Sequence, residues 1–316
     1  MKRRSWQLIV VVSLLIFLVS CGPRPNAGDE PLGTQAAIEA ASTGIQGVET
    51  TLLPNYPPNI IYDSNELLAI VEVKNKGNFN LEPQDCFVEI TGFDPNIIKG
   101  FRSLQSCAVN LGTLEGKNVY NTKGMSNQIE FLSPDVRLPS GVYEYSPQMK
   151  IITCYRYTTT ANPAVCVDPA FYQVTSEQKS CRPQNVMMGS GQGGPVGISY
   201  VGVDMVGSRA IFEINVKNFG SGTVLSPVGV DIQSCGQDSL RYQDLNDVGY
   251  TVRTTSGRLS CRPSDGIVRL NDNQGKIICN YETSASTAFE TPIQIQLDYN
   301  YIDSFSKNLK IIQTPE

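Results

Sequence analysis

The sequence predicts an all-β fold: two tandem antiparallel β-sandwiches behind an N-terminal signal or anchor segment. Three observations lead there. The chain opens on a charged head followed by an apolar run. Its body consists of short strand-like stretches punctuated by 27 Gly and 19 Pro, with no long amphipathic helix. Two motifs also recur further along at almost the same offset.

The leader comes first. Lys2, Arg3 and Arg4 precede apolar residues 8–12 and 14–19, broken only by Ser13, a layout typical of an export signal. It closes on Leu18-Val19-Ser20-Cys21, which resembles the lipobox of lipoprotein signal peptides. That resemblance implies lipidation of Cys21 and attachment to the outer face of the cell membrane. Simple cleavage and an uncleaved anchor are the alternatives, although residues 6–20 are short against the roughly 20 needed to span a bilayer core. All three place the body of the chain outside the cytoplasm. Residues 22–46 are small, polar and turn-forming, as in a flexible tether, with one short helical turn expected over 36–41.

Strand signals come next. Residues 67–75 (LLAIVEVKN) are β-rich, alternate apolar and polar towards their end, and stop at Gly77. Residues 210–218 (AIFEINVKN) repeat them and stop at Gly220, so V-K-N-x-G recurs at an offset of 143. Cys154-Tyr155-Arg156-Tyr157 matches Asp298-Tyr299-Asn300-Tyr301 at an offset of 144. Two distant matches at nearly one offset read as a tandem duplication, with β-sandwiches over 47–181 and 196–316 and a linker over 182–195. Leu138-Pro139-Ser140-Gly141 is expected to turn a hairpin into Val142-Tyr143-Glu144-Tyr145.

Besides Cys21, the cysteines are Cys86, Cys107, Cys154, Cys166, Cys181, Cys235, Cys261 and Cys279. An even number in an exported chain predicts disulfides. Zinc is disfavoured, because the chain has no His and no C-x-x-C. The expected pairs are Cys154–Cys166 across a long hairpin, Cys261–Cys279 across another, and Cys86–Cys107, leaving Cys181 and Cys235 together. At the repeat offset, Asp298 and Lys310 stand where Cys154 and Cys166 stand, and are expected to face each other as an ion pair.

No catalytic constellation emerges. Gly189-Ser190-Gly191-Gln192-Gly193-Gly194 satisfies G-x-G-x-x-G, but Pro195 and a strand-like run come after it where a helix is required, so a flexible turn between the halves is expected. Asp265, Asn271, Asp272 and Asn273 lack the ligand spacing of an EF-hand loop and read as a hairpin turn. Without His, a Ser or Cys nucleophile lacks its usual base. Tyrosines 143, 145, 155, 157, 299 and 301 are expected in the core or paired across strands, with an exposed aromatic strip as the alternative. The net charge of −5 is modest and its Lys and Arg are scattered, which disfavours nucleic acid as a partner.

The V-x-V-K-N-x-G stretch, with Ser140-Gly141-Val142-Tyr143 much later, resembles the immunoglobulin-like modules of prokaryotic surface proteins, the CARDB type above all. Runs such as Gly92-Phe93-Asp94-Pro95-Asn96 and Leu245-Asn246-Asp247-Val248 are similar to exported archaeal surface proteins with two such modules. The resemblance implies two immunoglobulin-like sandwiches and brings no catalytic residue. The expected function is non-enzymatic adhesion, recognition or envelope scaffolding at a membrane, towards a surface protein or glycan, with no cofactor and no metal. The competing expectation is an extracytoplasmic hydrolase working through paired carboxylates, or its substrate-binding accessory.

Overall fold

The computed structural model describes residues 33–101, 104–174, 178–234 and 240–315, and from residue 37 onward the chain forms one compact unit. A helix, α1 (Thr34–Ser42), supplies and extends the helical turn expected near residue 36. Strands dominate the rest of the described chain. The first half carries β1 (Val48–Leu52), β2 (Ile60–Tyr62), β3 (Leu67–Asn75), β4 (Cys86–Thr91), β5 (Ile98–Lys99), β6 (Leu104–Ser106), β7 (Ser126–Ser133), β8 (Asp135–Val136), β9 (Glu144–Tyr145), β10 (Gln148–Ala161) and β11 (Ala164–Val167). The described residues of the second half form ten strands. They are β12 (Val186–Met187), β13 (Val196–Val206), β14 (Arg209–Asn218), β15 (Thr223–Leu225), β16 (Asp247–Thr254), β17 (Arg258–Arg262), β18 (Ile267–Arg269), β19 (Gln274–Glu282), β20 (Phe289–Asn308) and β21 (Lys310–Ile312).

Three sheets make most of the core. β1-β3-β7 belongs to the first half and β12-β13-β14-β19-β17 to the second. The third, along β18-β16-β20-β10-β4-β6, draws strands from both. The alternation read in the sequence is the alternation of burial: β3 turns Leu67, Ala69, Val71, Val73 and Asn75 inward and its intervening residues outward. Buried side chains from all three sheets join one hydrophobic cluster.

The halves meet on the repeated strand itself. β10 pairs antiparallel with β20 along all 14 of its residues, with Tyr155 opposite Tyr301, Arg156 opposite Asn300 and Tyr157 opposite Tyr299. In the repeat, Tyr155 corresponds to Tyr299 and Tyr157 to Tyr301. The two-fold that exchanges the motifs therefore passes between Arg156 and Asn300. The segment between the halves is not a free linker. Residues 191–198 are buried, and Gly193 is hydrogen-bonded to Gly44 and Asn78.

Three disulfides lie wholly among the described residues, which fits an oxidising, extracytoplasmic environment. Cys86–Cys107 and Cys261–Cys279 pair as expected, the latter directly opposite each other on β17 and β19. The expected Cys154–Cys166 and Cys181–Cys235 bridges are corrected, because Cys166 is bonded to Cys181. β10 and β11 do not fold back on one another; both pair with β20. The partners of Cys154 and Cys166, Ile302 and Glu290, are twelve residues apart on that strand, roughly 40 Å of extended chain. Cys154 is disulfide-bonded as well, and Cys235 lies outside the described residues.

The expected Asp298–Lys310 pair is corrected for the same reason. Asp298 sits mid-β20, between Thr158 and Gly249 on its two neighbours. Lys310 belongs to β21, opposite Ile60, and forms an ion pair with Glu144 at 2.7 Å. The turn at residues 138–141 forms, with the Val142 amide donating to the Pro139 carbonyl, but joins no hairpin, since β9 pairs with β21.

Candidate functional site

The two repeated motifs form one hydrogen-bonded device, built twice. In the first half Asn75, the Asn of V-K-N-x-G, sits buried at the end of β3. Its Nδ2 donates to the Phe79 carbonyl at 2.7 Å, and its Oδ1 accepts from the Gly77 amide at 3.2 Å. The Tyr157 hydroxyl accepts from the Phe79 amide at 3.2 Å and lies 3.4 Å from Asn75 Oδ1. In the second half Asn218 Nδ2 donates to the Gly222 carbonyl at 3.0 Å, and its Oδ1 accepts from the Gly220 amide at 3.1 Å. Tyr301 accepts from the Gly222 amide at 2.9 Å and donates to Asn218 Oδ1 at 3.2 Å. The glycine of the motif is required by close approach. A Cβ on Gly77 would fall 1.7 Å from the Tyr157 hydroxyl, and one on Gly220 would fall 2.3 Å from that of Tyr301.

The second tyrosine of each pair is equally matched. The Val196 amide donates to the Tyr299 hydroxyl at 3.3 Å, and the Val48 backbone lies beside the Tyr155 hydroxyl. The four rings form a cross-strand quartet, with centroids 5.4 Å apart for Tyr155–Tyr301 and 6.1 Å for Tyr157–Tyr299. Desolvation pushes the hydroxyls of Tyr155, Tyr157 and Tyr299 well above the usual phenol range, and that of Tyr301 up to about 12.

Beside this quartet lies an open groove of about 810 Å³. One wall is β1, the edge strand of its sheet; the other is the end of β20 over residues 303–307, with the turn at 219–221 and the buried Tyr155 and Tyr301 completing it. Alternate residues of an antiparallel strand aim their backbone groups at the partner and away from it. The Lys76 amide donates to the Gly47 carbonyl and the Leu53 amide to that of Ile70, so Gly47, Glu49, Thr51 and Leu53 face β3. Val48, Thr50 and Leu52 therefore aim their N–H and C=O groups at the groove. The Val48 backbone lies beside the Tyr155 hydroxyl, while the backbone of Thr50 and Leu52 presents a short strand edge. Glu49 is held by Lys76 at 2.6 Å, and Thr50 Oγ1 by Thr153 Oγ1 at 2.8 Å.

The other sequence candidates fall elsewhere. Tyr155, Tyr157, Tyr299 and Tyr301 are in the core, as expected; Tyr145 is half-buried and its hydroxyl accepts from the Asp94 amide, while Tyr143 is exposed. Asn271 and Gln274 exchange two backbone hydrogen bonds around Asp272 and Asn273, both at positive φ, which is a tight hairpin turn. Among the described residues no group of three or more His, Cys, Asp or Glu is placed to hold a metal ion. Cys21 lies outside the described residues, and among those described no helix is long and apolar enough to cross a membrane. Sequence reasoning missed the roles of Thr50 and Gln192: Thr50 sits in no recognisable motif, Gln192 sits in the G-x-G-x-x-G run read as a flexible turn, and both roles depend on which side of a strand edge is left open. No protein-family model and no curated protein matches this chain.

Proposed function

We propose that this is a non-enzymatic recognition protein of the cell envelope, anchored to the outer face of the membrane through a lipidated Cys21. Its two halves are read as tandem immunoglobulin-like sandwiches of the CARDB type, fused across β10 and β20. The observation that carries the reading is the groove along β1. Among the described residues it offers unpaired backbone donors and acceptors at Thr50 and Leu52 beside aromatic walls, the chemistry of a surface that holds a partner. The disulfides support the extracytoplasmic address.

Cell fractionation of Cys21→Ser tests the anchoring. The variant is exported and recovered in the soluble extracytoplasmic fraction, whereas the unaltered protein sediments with membranes. Membrane retention of Cys21→Ser would contradict lipid anchoring.

A further inference from the structure

The two-fold between Arg156 and Asn300 gives the groove a counterpart in the second half, and there the chain fills it. Val48 corresponds to Val196, because they stand opposite Asn75 and Asn218, so Thr50 corresponds to Ile198. The edge of β13 is closed by the segment that precedes it. The Met188 amide donates to the Ser199 carbonyl. The Gln192 carboxamide then mimics a strand: its Nε2 donates to the Ile198 carbonyl at 3.1 Å and its Oε1 accepts from the Ile198 amide at 2.7 Å.

The remaining contacts of this plug are as telling. The Gln192 carbonyl accepts from Asn78 Nδ2 at 3.1 Å, and the Gly193 carbonyl accepts from the Tyr157 hydroxyl at 3.1 Å. Gly194 packs so closely on Thr159 that a Cβ would fall 2.3 Å from its Oγ1, and 2.8 Å from the Tyr299 hydroxyl. Under the two-fold, Asn78, Tyr157, Thr159 and Tyr299 become Ser221, Tyr301, Asp303 and Tyr155. All four line the open groove.

The segment before β1 does not play the same part. Gly44 accepts from the Gly193 amide and donates to the Ser190 carbonyl, so the chain at residues 43–45 packs onto the second-half plug. One cleft is plugged by the chain; no described residue plugs its counterpart.

We propose that the first-half groove binds an extended, glycine-rich peptide segment of a partner protein. The segment lies along β1, sets an Asn or Gln carboxamide against the N–H and C=O of Thr50, and places small residues over Tyr155 and Tyr301 as Gln192–Gly194 does over their counterparts. This deepens the recognition reading by naming its ligand class.

The test uses the full chain in detergent micelles and a fluorescently labelled synthetic peptide with the sequence of residues 186–195, VMMGSGQGGP. Anisotropy is expected to show saturable binding, weakened at least fivefold when the peptide's Gln is replaced by Ala. Thr50→Pro removes the outward N–H and leaves the β3 hydrogen bonds untouched, because Thr50, opposite Val73, turns its N–H away from β3, and edge strands tolerate Pro in that position. Ser221→Trp blocks the groove without touching β1. Each is expected to weaken binding at least tenfold; Ser221→Trp leaves the unfolding midpoint unchanged, whereas Thr50→Pro lowers it through loss of the Thr50 Oγ1–Thr153 Oγ1 hydrogen bond. Absence of saturable peptide binding, or binding indifferent to Ser221→Trp whether or not Thr50→Pro folds, would overturn the site. A parallel arm measures sedimentation of the full chain with envelope fragments stripped of their own copy. If fragments are bound and the peptide is not, the groove assignment fails and the recognition reading stands; if neither is bound, both fail.

Discussion

At the scale of single residues, the repeated Asn and Tyr side chains explain each other. Asn75 and Asn218 use both ends of their carboxamides on backbone groups that the turn after β3 or β14 leaves unpaired, and a tyrosine hydroxyl 82 or 83 residues away completes each set. The motifs were readable as repeats. Their partnership was not, because it joins residues from opposite ends of each half. The buried hydroxyls also set a pH limit. An unfolded tyrosine ionises near about 10, whereas all four of the quartet ionise above that in the folded chain, Tyr301 at about 12. Between those values the unfolded state has lost protons that the folded state keeps. Their contribution to stability is thus fully present below about pH 10 and is lost as pH rises towards the folded values, at up to about 1.4 kcal/mol per pH unit for each group. In an alkaline titration followed by phenolate absorbance, the quartet should ionise only with unfolding. Complete ionisation of every tyrosine near pH 10 with the fold intact would contradict its burial.

Among the elements, strand identity was legible and strand partnership was not. β3 and β14 announce themselves through alternation and a terminal glycine. The Ala161-Asn162-Pro163-Ala164 stretch looks like a hairpin turn, yet β10 runs on past it into β11 along the same partner, β20. That single difference moves Cys166 from Cys154 to Cys181. The bridge closes a loop with a sequence separation of 15, inside which the buried Asp168 is held by Lys179 at 2.6 Å. Closing a loop of this length contributes about 3 kcal/mol. The double variant Cys166→Ser/Cys181→Ser should lose about that much and exchange amide hydrogens faster over residues 167–174, with β3 and β14 little changed. Uniform acceleration across the chain, or none, would contradict the local role of the bridge.

For the molecule as a whole, the repeated motifs were legible in the sequence and their geometry was not. A repeat offset cannot say whether two copies hang as beads or merge. Here they merge, because the repeated strand is the one that pairs with its own counterpart, and one hydrophobic cluster runs through both halves. Near-symmetry also makes the differences informative: residues 43–45 pack on the second-half plug, and no described residue fills the first-half groove. The shared sheet is the central claim, and equilibrium unfolding of the full chain in urea, followed by far-ultraviolet circular dichroism, tests it most directly when repeated with Asn75→Ala and with Asn218→Ala. Each substitution strands buried backbone groups and costs about 1–3 kcal/mol. A merged molecule gives one transition, shifted as a whole by either substitution. Two transitions, with Asn75→Ala moving only one and Asn218→Ala only the other, would show that the halves fold as separate beads.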